Sequence, residues 1–313
     1  MGSGKGFGKT ILFGEHFVVY GLPAIASAIG SVSTAEVTRV DQKGWHLQDD
    51  RPETPGYKIK KADEQSDSID RILRFMGIDV SKSGINIHFA GDLTAASGIG
   101  ASAASSTALA RALNEEFGLN WDDDKINRTA YEGEKGYHGE APSGIDNTAS
   151  TYGGLIWFEK NLEGEPNVMD RLKIKPVELV IASTGLTSST SEVVDDVRKL
   201  KAANPEQFEL VFNDYRKLVD GAKEALLNHD LEKLGKMMNR NHELLQQITV
   251  SSEANDKLVK IALENGAYGA KLTGTGRGGL VIALTPGKNI QEKVARALES
   301  EEMGDVWRTT IGT

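Results

Sequence analysis

The chain has 313 residues, 39% hydrophobic and 26% charged, enough for one large or two ordinary packed domains, which excludes both a disulfide-stapled miniprotein and a disordered chain. A formal charge of -9 argues against a nucleic-acid backbone as the main partner, which needs a concentrated basic face. The absence of cysteine removes thiolate metal sites, iron–sulfur clusters and cysteine nucleophiles, and leaves 34 glycines beside only 8 prolines as the oddity.

No run approaches the ~18 apolar residues of a membrane span, and Met1 is followed by a Gly/Lys-rich strip where a signal peptide would have an apolar core. A soluble, cytoplasmic protein with no membrane and no nucleic-acid partner is expected. Residues 10–29 give two short strand-like runs, broken at Gly14-Glu15-His16 and Gly21-Leu22-Pro23, and further strand-like runs follow at 33–40 and 85–90. Residues 101–117 are Ala/Ser/Leu-rich without Gly or Pro and stop at Gly118, which predicts a helix opening directly from a glycine loop. A second helix is predicted from about Asp122 to Lys135, with three aspartates complementing its positive end.

Residues 151–158 return to strand character, and 161–175 reads as a charged connector containing Gly164 and Pro166. The composition shift there places a domain boundary, giving domains 1–175 and 176–313. Val177 to Ala182 reads as a buried strand, and Ser191 to about Asn265 as successive amphipathic helices. The tail gives a strand pair (Tyr268 to Thr273, Leu280 to Leu284), a helix at 288–300 and a final run from Val306. The mixture predicts an α+β protein.

Three glycine motifs invite nucleotide readings. Gly8-Lys9-Thr10 imitates the end of a P-loop, but Ser3 stands where its first glycine belongs, and strand character follows where a helix is needed. Lys9 at a glycine-lined turn can still reach a phosphate as a point charge, or be a solvated terminal lysine. The run Ser97-Gly98-Ile99-Gly100-Ala101-Ser102-Ala103, with Ser105 and Ser106 beyond, matches G-x-G-x-x-A. No strand precedes the acids near 122, so a dinucleotide fold is rejected. What survives is glycine backbone, helix-terminal amides and hydroxyls suited to an anion, against a plain tightly packed helix. The third motif, Gly274-Thr275-Gly276-Arg277-Gly278-Gly279, lies between two strands and carries more glycine than a tight hairpin needs.

Between the second helix and the strand near 152 lies Glu132-Gly-Glu134-Lys135-Gly-Tyr-His138-Gly-Glu-Ala-Pro142-Ser143-Gly144-Ile-Asp146-Asn147. Alone, Asp146 reads as an Asx-turn or helix cap. Phosphoryl transfer, however, needs a phosphate cradle, an oxygen-held Mg²⁺, a base and a cation. The 97–106 loop, Glu134 with a serine hydroxyl, Asp146 and Lys9 supply one of each.

The phrases Gly8-Lys9-x-x-Leu12-Phe-Gly-Glu15-His16, Ser97-Gly-Ile-Gly-Ala-Ser102-Ala-Ala and Lys271-Leu-Thr-Gly-Thr-Gly-Arg-Gly-Gly279 resemble the three motifs of the GHMP small-molecule kinases. His138-Gly-x-x-Pro142-Ser-Gly-Ile-Asp146-Asn, Asn241-His242-x-Leu-Leu and Val250-Ser251 are similar to the mevalonate-phosphorylating members, and Asp49-Asp-Arg-Pro-x-x-Pro-Gly-Tyr57 to their trypanosomatid and bacterial branch. The resemblance spans nearly the whole chain. It implies a ribosomal S5 domain 2-like N-terminal domain, a ferredoxin-like C-terminal domain, and ATP, Mg²⁺ and mevalonate as ligands. Asp146 would then be the base for the C5 hydroxyl and Lys9 the cation beside it. Ser102 and Glu134 would hold Mg²⁺, and the 97–106 loop would wrap the ATP phosphates. Glu15, His16 and Thr190 would lie near mevalonate, and a homodimer is expected by analogy.

Two departures stand out: an extra residue at Glu140-Ala141, and Thr275 and Arg277 where Ala and Gly are common. The alternatives are another GHMP kinase acting on phosphomevalonate or a similar alcohol, and a nucleotide-binding regulator without catalysis.

Overall fold

The structure, a computed structural model, describes residues 1–54, 56–95, 98–140, 142–164 and 166–312. Two compact units emerge: Met1–Lys9 with Ala28–Gly153, and Thr10–Ser27 with Gly154–Thr313. The boundary expected at 175 lies inside the second.

In the first unit, the chain opens on β1 (Gly2–Phe13), whose first eight residues belong here, and continues into β2 (Ala24–Val40). β3 (Trp45–Asp49), the short α1 (Tyr57–Lys60), α2 (Ala62–Met76) and β4 (Gly84–Gly91) follow, then α3 (Ala101–Glu116), α4 (Asp123–His138) and α5 (Ile145–Tyr152). Residues 33–40 of β2 pair antiparallel with β4, and β3 adds in parallel on the other side of β4. The core lies where Val37, Ile85, Ile87 and Phe89 of the sheet meet Ile69, Ile72 and Leu73 of α2 and Leu109 and Leu113 of α3.

The glycines of β1 are not a loop. Gly2, Gly4 and Gly6 face one way along the strand, and a Cβ on each would sit 2.2, 2.2 and 2.1 Å from the carbonyl oxygens of Ala112, Ala108 and Ala104. Two strand residues rise ~6.6 Å and four helix residues ~6 Å, so glycine and alanine rows stay in step where strand and helix backbones touch. Gly2, Gly4 and Gly6 are therefore packing glycines of a strand.

In the second unit, residues 24–27 of β2 pair with β5 (Leu155–Glu159), which pairs with β6 (Val168–Leu172). The charged stretch read as a connector therefore contains a strand. Phe17 to Tyr20, expected as strand, forms a 3₁₀ turn over Val18–Tyr20, because Gly14 and Gly21 bend the chain on either side. Then come β7 (Val177–Ser183), the helices α6 (Thr190–Ala203), α7 (Pro205–Asn228), α8 (Leu231–Gln247) and α9 (Glu253–Glu264), and β8 (Gly269–Thr273), β9 (Leu280–Leu284), α10 (Lys288–Glu299) and β10 (Val306–Ile311). The antiparallel sheet runs β10-β7-β9-β8, the 4-1-3-2 order of a β-α-β-β-α-β unit, as expected for a ferredoxin-like domain. α9 and α10 cover it, with Leu258, Val259, Val294 and Leu298 against Val180, Val281 and Ala283. No helix among the described residues is long and apolar enough to cross a membrane.

Candidate active site

In the first unit the helix α3 begins where the sequence places it, directly from a glycine loop. Gly98 and Gly100 take φ of 79° and 80°, and Gly100 caps α3 without any side-chain hydrogen bond. The first amides of α3 are thus free of a side-chain cap and suited to an anion. Lys9 lies against this turn: its amide donates to the Ile99 carbonyl at 2.8 Å, and its stem passes so close to Gly100 that a Cβ there would be 2.7 Å from Lys9 Cγ. Its side chain is 6% exposed, so Lys9 is not a solvated terminal lysine.

The Lys9 ammonium meets Asp146 Oδ1 at 3.1 Å. Asp146 sits in the first turn of α5, whose orientation is fixed from below. Asn147 Nδ2 donates to Asn127 Oδ1 of α4 at 2.7 Å, the Thr148 hydroxyl to Gly144 O at 2.6 Å, and Thr151 and Thr107 of α3 share a hydroxyl contact at 3.2 Å. The ion pair is not aligned as a hydrogen bond, so Asp146 Oδ1 is buried with no hydrogen-bond donor. An unoccupied carboxylate acceptor beside an ammonium is the equipment for taking a proton while the remaining negative charge is stabilised.

Glu134 completes this group. Gly133 lets α4 close onto Ser106 of α3, which brings Glu134, the next residue, toward Ser102, one turn earlier on α3. Burial pushes its carboxyl above the usual range, with His138 opposing, Asp146 adding to the rise, and Ser102 and Lys9 opposing it. His138 Nε2 stands 3.6 Å from Oε2, and Oε1 is buried without a hydrogen-bond partner. No cluster of three or more metal-ligating His, Cys, Asp or Glu occurs among the described residues. A serine hydroxyl and an orphaned carboxylate oxygen nonetheless fit Mg²⁺, which binds through one or two carboxylates and leaves its other positions to water and phosphate. The extra residue before Pro142 leaves Glu134 and Asp146 in electrostatic contact; Glu140 is exposed and pairs with Arg71 of α2 at 2.9 Å, and Ala141 lies outside the described residues.

Not every hydroxyl of the 97–106 run faces this group. Ser105 donates to the Ala101 and Ser102 carbonyls, and Ser106 contacts Ser68 of α2, so both are spent on packing. Ile99, Ala101 and Ala103 are buried, and Ser97 lies outside the described residues.

In the second unit, Glu15 and His16 sit on a turn held from several sides. Phe17 stacks on Tyr215 of α7 at 3.9 Å, and the Tyr215 hydroxyl donates to Pro23 O at 2.7 Å. Glu15 forms a wholly buried ion pair with Lys271 of β8. Burial pushes Glu15 up and Lys271 down, and their mutual attraction opposes both shifts. His16 has φ of 59°, uncommon outside glycine, and Nε2 contacts the Thr275 carbonyl at 2.7 Å. A carbonyl only accepts, so Nε2 carries the hydrogen and Nδ1, buried without a partner, is a bare acceptor. Burial holds the imidazole below its ordinary value, which keeps it neutral and able to receive a hydroxyl hydrogen. Thr190, the first residue of α6, shares a 2.7 Å hydroxyl contact with Thr275.

Lys271 carries no sequence-assigned role. The signal was present: a single lysine in the otherwise apolar strand Gly269–Thr273 requires a buried acid. The third glycine motif bridges β8 and β9, and its contacts within the unit include His16, Thr190, Ser188, Asn255 and Val250.

Comparison with known proteins places the chain in a family. Residues 67–154 match the GHMP kinases N terminal domain, and residues 222–305 match GHMP kinases C terminal. The chain is similar to the mevalonate kinase of Pyrococcus horikoshii, 34% identical over 93% of this chain and 90% of that one, and to that of Thermococcus gammatolerans, 35% identical with the same coverage. Among solved structures, L. major mevalonate kinase in complex with R-mevalonate superposes with a TM-score of 0.92 at 40% identity, covering 99% of this chain and 96% of that one.

Proposed function

The chain belongs to the mevalonate kinases of the GHMP kinase family, and on that premise we propose that it phosphorylates the C5 hydroxyl of mevalonate with ATP, using Asp146 as base and Lys9 as its cation. The carrying observation is the buried Asp146 Oδ1, without a hydrogen-bond donor, 3.1 Å from Lys9 Nζ. The hydroxyl gives its proton to this carboxylate as its oxygen attacks the γ-phosphorus, and ADP leaves with the electron pair of the broken bond. Lys9 stabilises the alkoxide character that develops, which costs no reorganisation because its stem is already packed against Gly100.

The open N-terminus of α3, from Gly98 to Ala103, is assigned to the ATP phosphates. Ser102 and Glu134 would hold Mg²⁺, which when bound supplies charge neutralisation at the phosphate oxygens. Glu15, His16 and Thr190 are assigned to mevalonate, His16 through its bare Nδ1.

The test is ADP release with mevalonate, phosphomevalonate, galactose and homoserine as acceptors. Turnover is expected with mevalonate alone, and Asp146→Asn is expected to lower kcat by at least about 10³-fold with ATP affinity retained. An active Asn variant would remove Asp146 as base. Bound ATP without turnover on any of the four acceptors would favour the non-catalytic regulator.

A further inference from the structure

Within the third glycine motif one residue breaks the pattern. Gly274, Gly276, Gly278 and Gly279 all have positive φ, and so does Arg277, at 51°. A left-handed conformation costs a side-chain-bearing residue roughly 1 kcal/mol, which glycine here would avoid. The arginine side chain is therefore held in a position that the backbone alone would give to glycine.

Its contacts show what it holds. Arg277 Nη1 pairs with Asp196 Oδ2 of α6 at 2.6 Å, and Nε donates to the Thr249 carbonyl, just past the end of α8, at 3.1 Å. Its amide donates to Val250 O at 2.7 Å. One guanidinium thus ties the glycine loop to α6 and to the α8 terminus. The same loop receives the start of α6 directly: Ser188 donates to Gly276 O at 2.6 Å, and Thr190 meets Thr275 by hydroxyl contact. His16 is bound to the carbonyl of that same Thr275. Besides the packing of Val193 and Val197, the Arg277–Asp196 tie and these two hydroxyl contacts join α6 to the loop, and Ser189 provides no side-chain cap.

We propose that Arg277 and Asp196 form a clamp that positions Thr190 and His16 for mevalonate, making Arg277 a positioning residue for substrate recognition. The clamp rests on the reading that Thr190 faces mevalonate. It acts through placement and not through contact with the reacting atoms, so its signature is a mevalonate-specific change in KM.

Three variants separate the possibilities by steady-state kinetics with each substrate varied in turn. Arg277→Gly removes the guanidinium and relieves the backbone, so a fall in folding stability does not confound it. Asp196→Asn, on the half-exposed face of α6, removes the other partner without touching the loop. Each is expected to raise the KM for mevalonate about 2- to 5-fold, the range of a partly exposed ion pair, with kcat and the KM for ATP within about twofold. The double variant is expected to be no worse than Arg277→Gly alone, because both substitutions cut one interaction. Thr190→Val serves as the control. If it raises the mevalonate KM while the two clamp variants leave it unchanged, or if the clamp variants add independently, the clamp is overturned. If all three leave it unchanged, the placement of Thr190 at mevalonate fails too.

Discussion

A lysine in the middle of an apolar strand is the sharpest single-residue consequence of this sequence. Lys271 is 0% exposed and its counter-ion Glu15 equally so, with Glu15 Oε2 left unpaired. Such a pair gains little stability over an apolar replacement, but losing one partner strands the other charge. Lys271→Met is expected to destabilise the protein by about 3–5 kcal/mol in denaturant unfolding, and adding Glu15→Gln to recover part of that loss. A cost under about 1 kcal/mol for Lys271→Met would mean that the pair is hydrated in solution. At the same scale Asp146 and Lys9 were legible as candidates for the proposed base and cation because few residue types can serve; the unassisted acceptor oxygen was not, because it depends on angles that no spacing encodes.

Among elements, the packing of β1 on α3 accounts for three of the 34 glycines. The residues of β1 alternate, so Gly2, Gly4 and Gly6 form one face, and Ala104, Ala108 and Ala112 follow at four-residue steps on α3. Gly6→Ala would put a methyl group 2.1 Å from the Ala104 carbonyl oxygen. Overpacking of this kind costs about 1–3 kcal/mol. Because α3 also carries the glycine turn and Ser102, a thermal scan of Gly6→Ala is expected to show a lower Tm together with weaker ATP binding; an unchanged Tm would contradict the close approach. Helices with long 3.6-residue periodicity, α3, α4 and the run α6 to α9, were readable from sequence nearly to their ends. β6 and the 3₁₀ turn at Val18–Tyr20 were not: the first is a charged edge strand whose pairing with β5 outweighs composition, and the second is β-branched sequence bent by its flanking glycines. α2 and β3 also went unread, although α2 carries an apolar face of Ile69, Ile72, Leu73 and Met76; β3 is only half-buried.

For the whole molecule, two buried histidines contribute to how stability responds to pH. Burial lowers both His16 and His242 from the ordinary 6.5. His242 Nε2 contacts Asp256 at 2.9 Å, with that carboxylate partly opposing the shift, while Nδ1 accepts from the Leu272 amide at 3.4 Å. The Asp256 carboxylate also accepts from the Ser251 hydroxyl at 2.6 Å. Each histidine is neutral when folded and takes a proton near 6.5 when unfolded, so the unfolded chain binds more protons on acidification. Their contribution is complete above about 6.5 and is lost as pH falls through the folded values. Tm is expected to drop between pH 7.5 and pH 5.5, and His242→Gln to flatten that slope; a slope unaltered by the variant would place the acid sensitivity elsewhere.

The sequence by itself determined the α+β class, the order of the long helices and the family resemblance, and it nominated Lys9, Asp146, Glu134 and Ser102 as candidates. These follow from residue type and local periodicity, which act over a few residues. Tertiary structure alone decided that the first glycines pack a strand on a helix, that Ser105 and Ser106 are spent on packing, that Lys271 neutralises Glu15, and that Arg277 ties the third motif to α6. Apart from the Ser105 contacts, which lie within α3, these depend on which segments approach each other across tens to hundreds of residues of chain, where burial and hydrogen-bond geometry, and not local propensity, choose the partner.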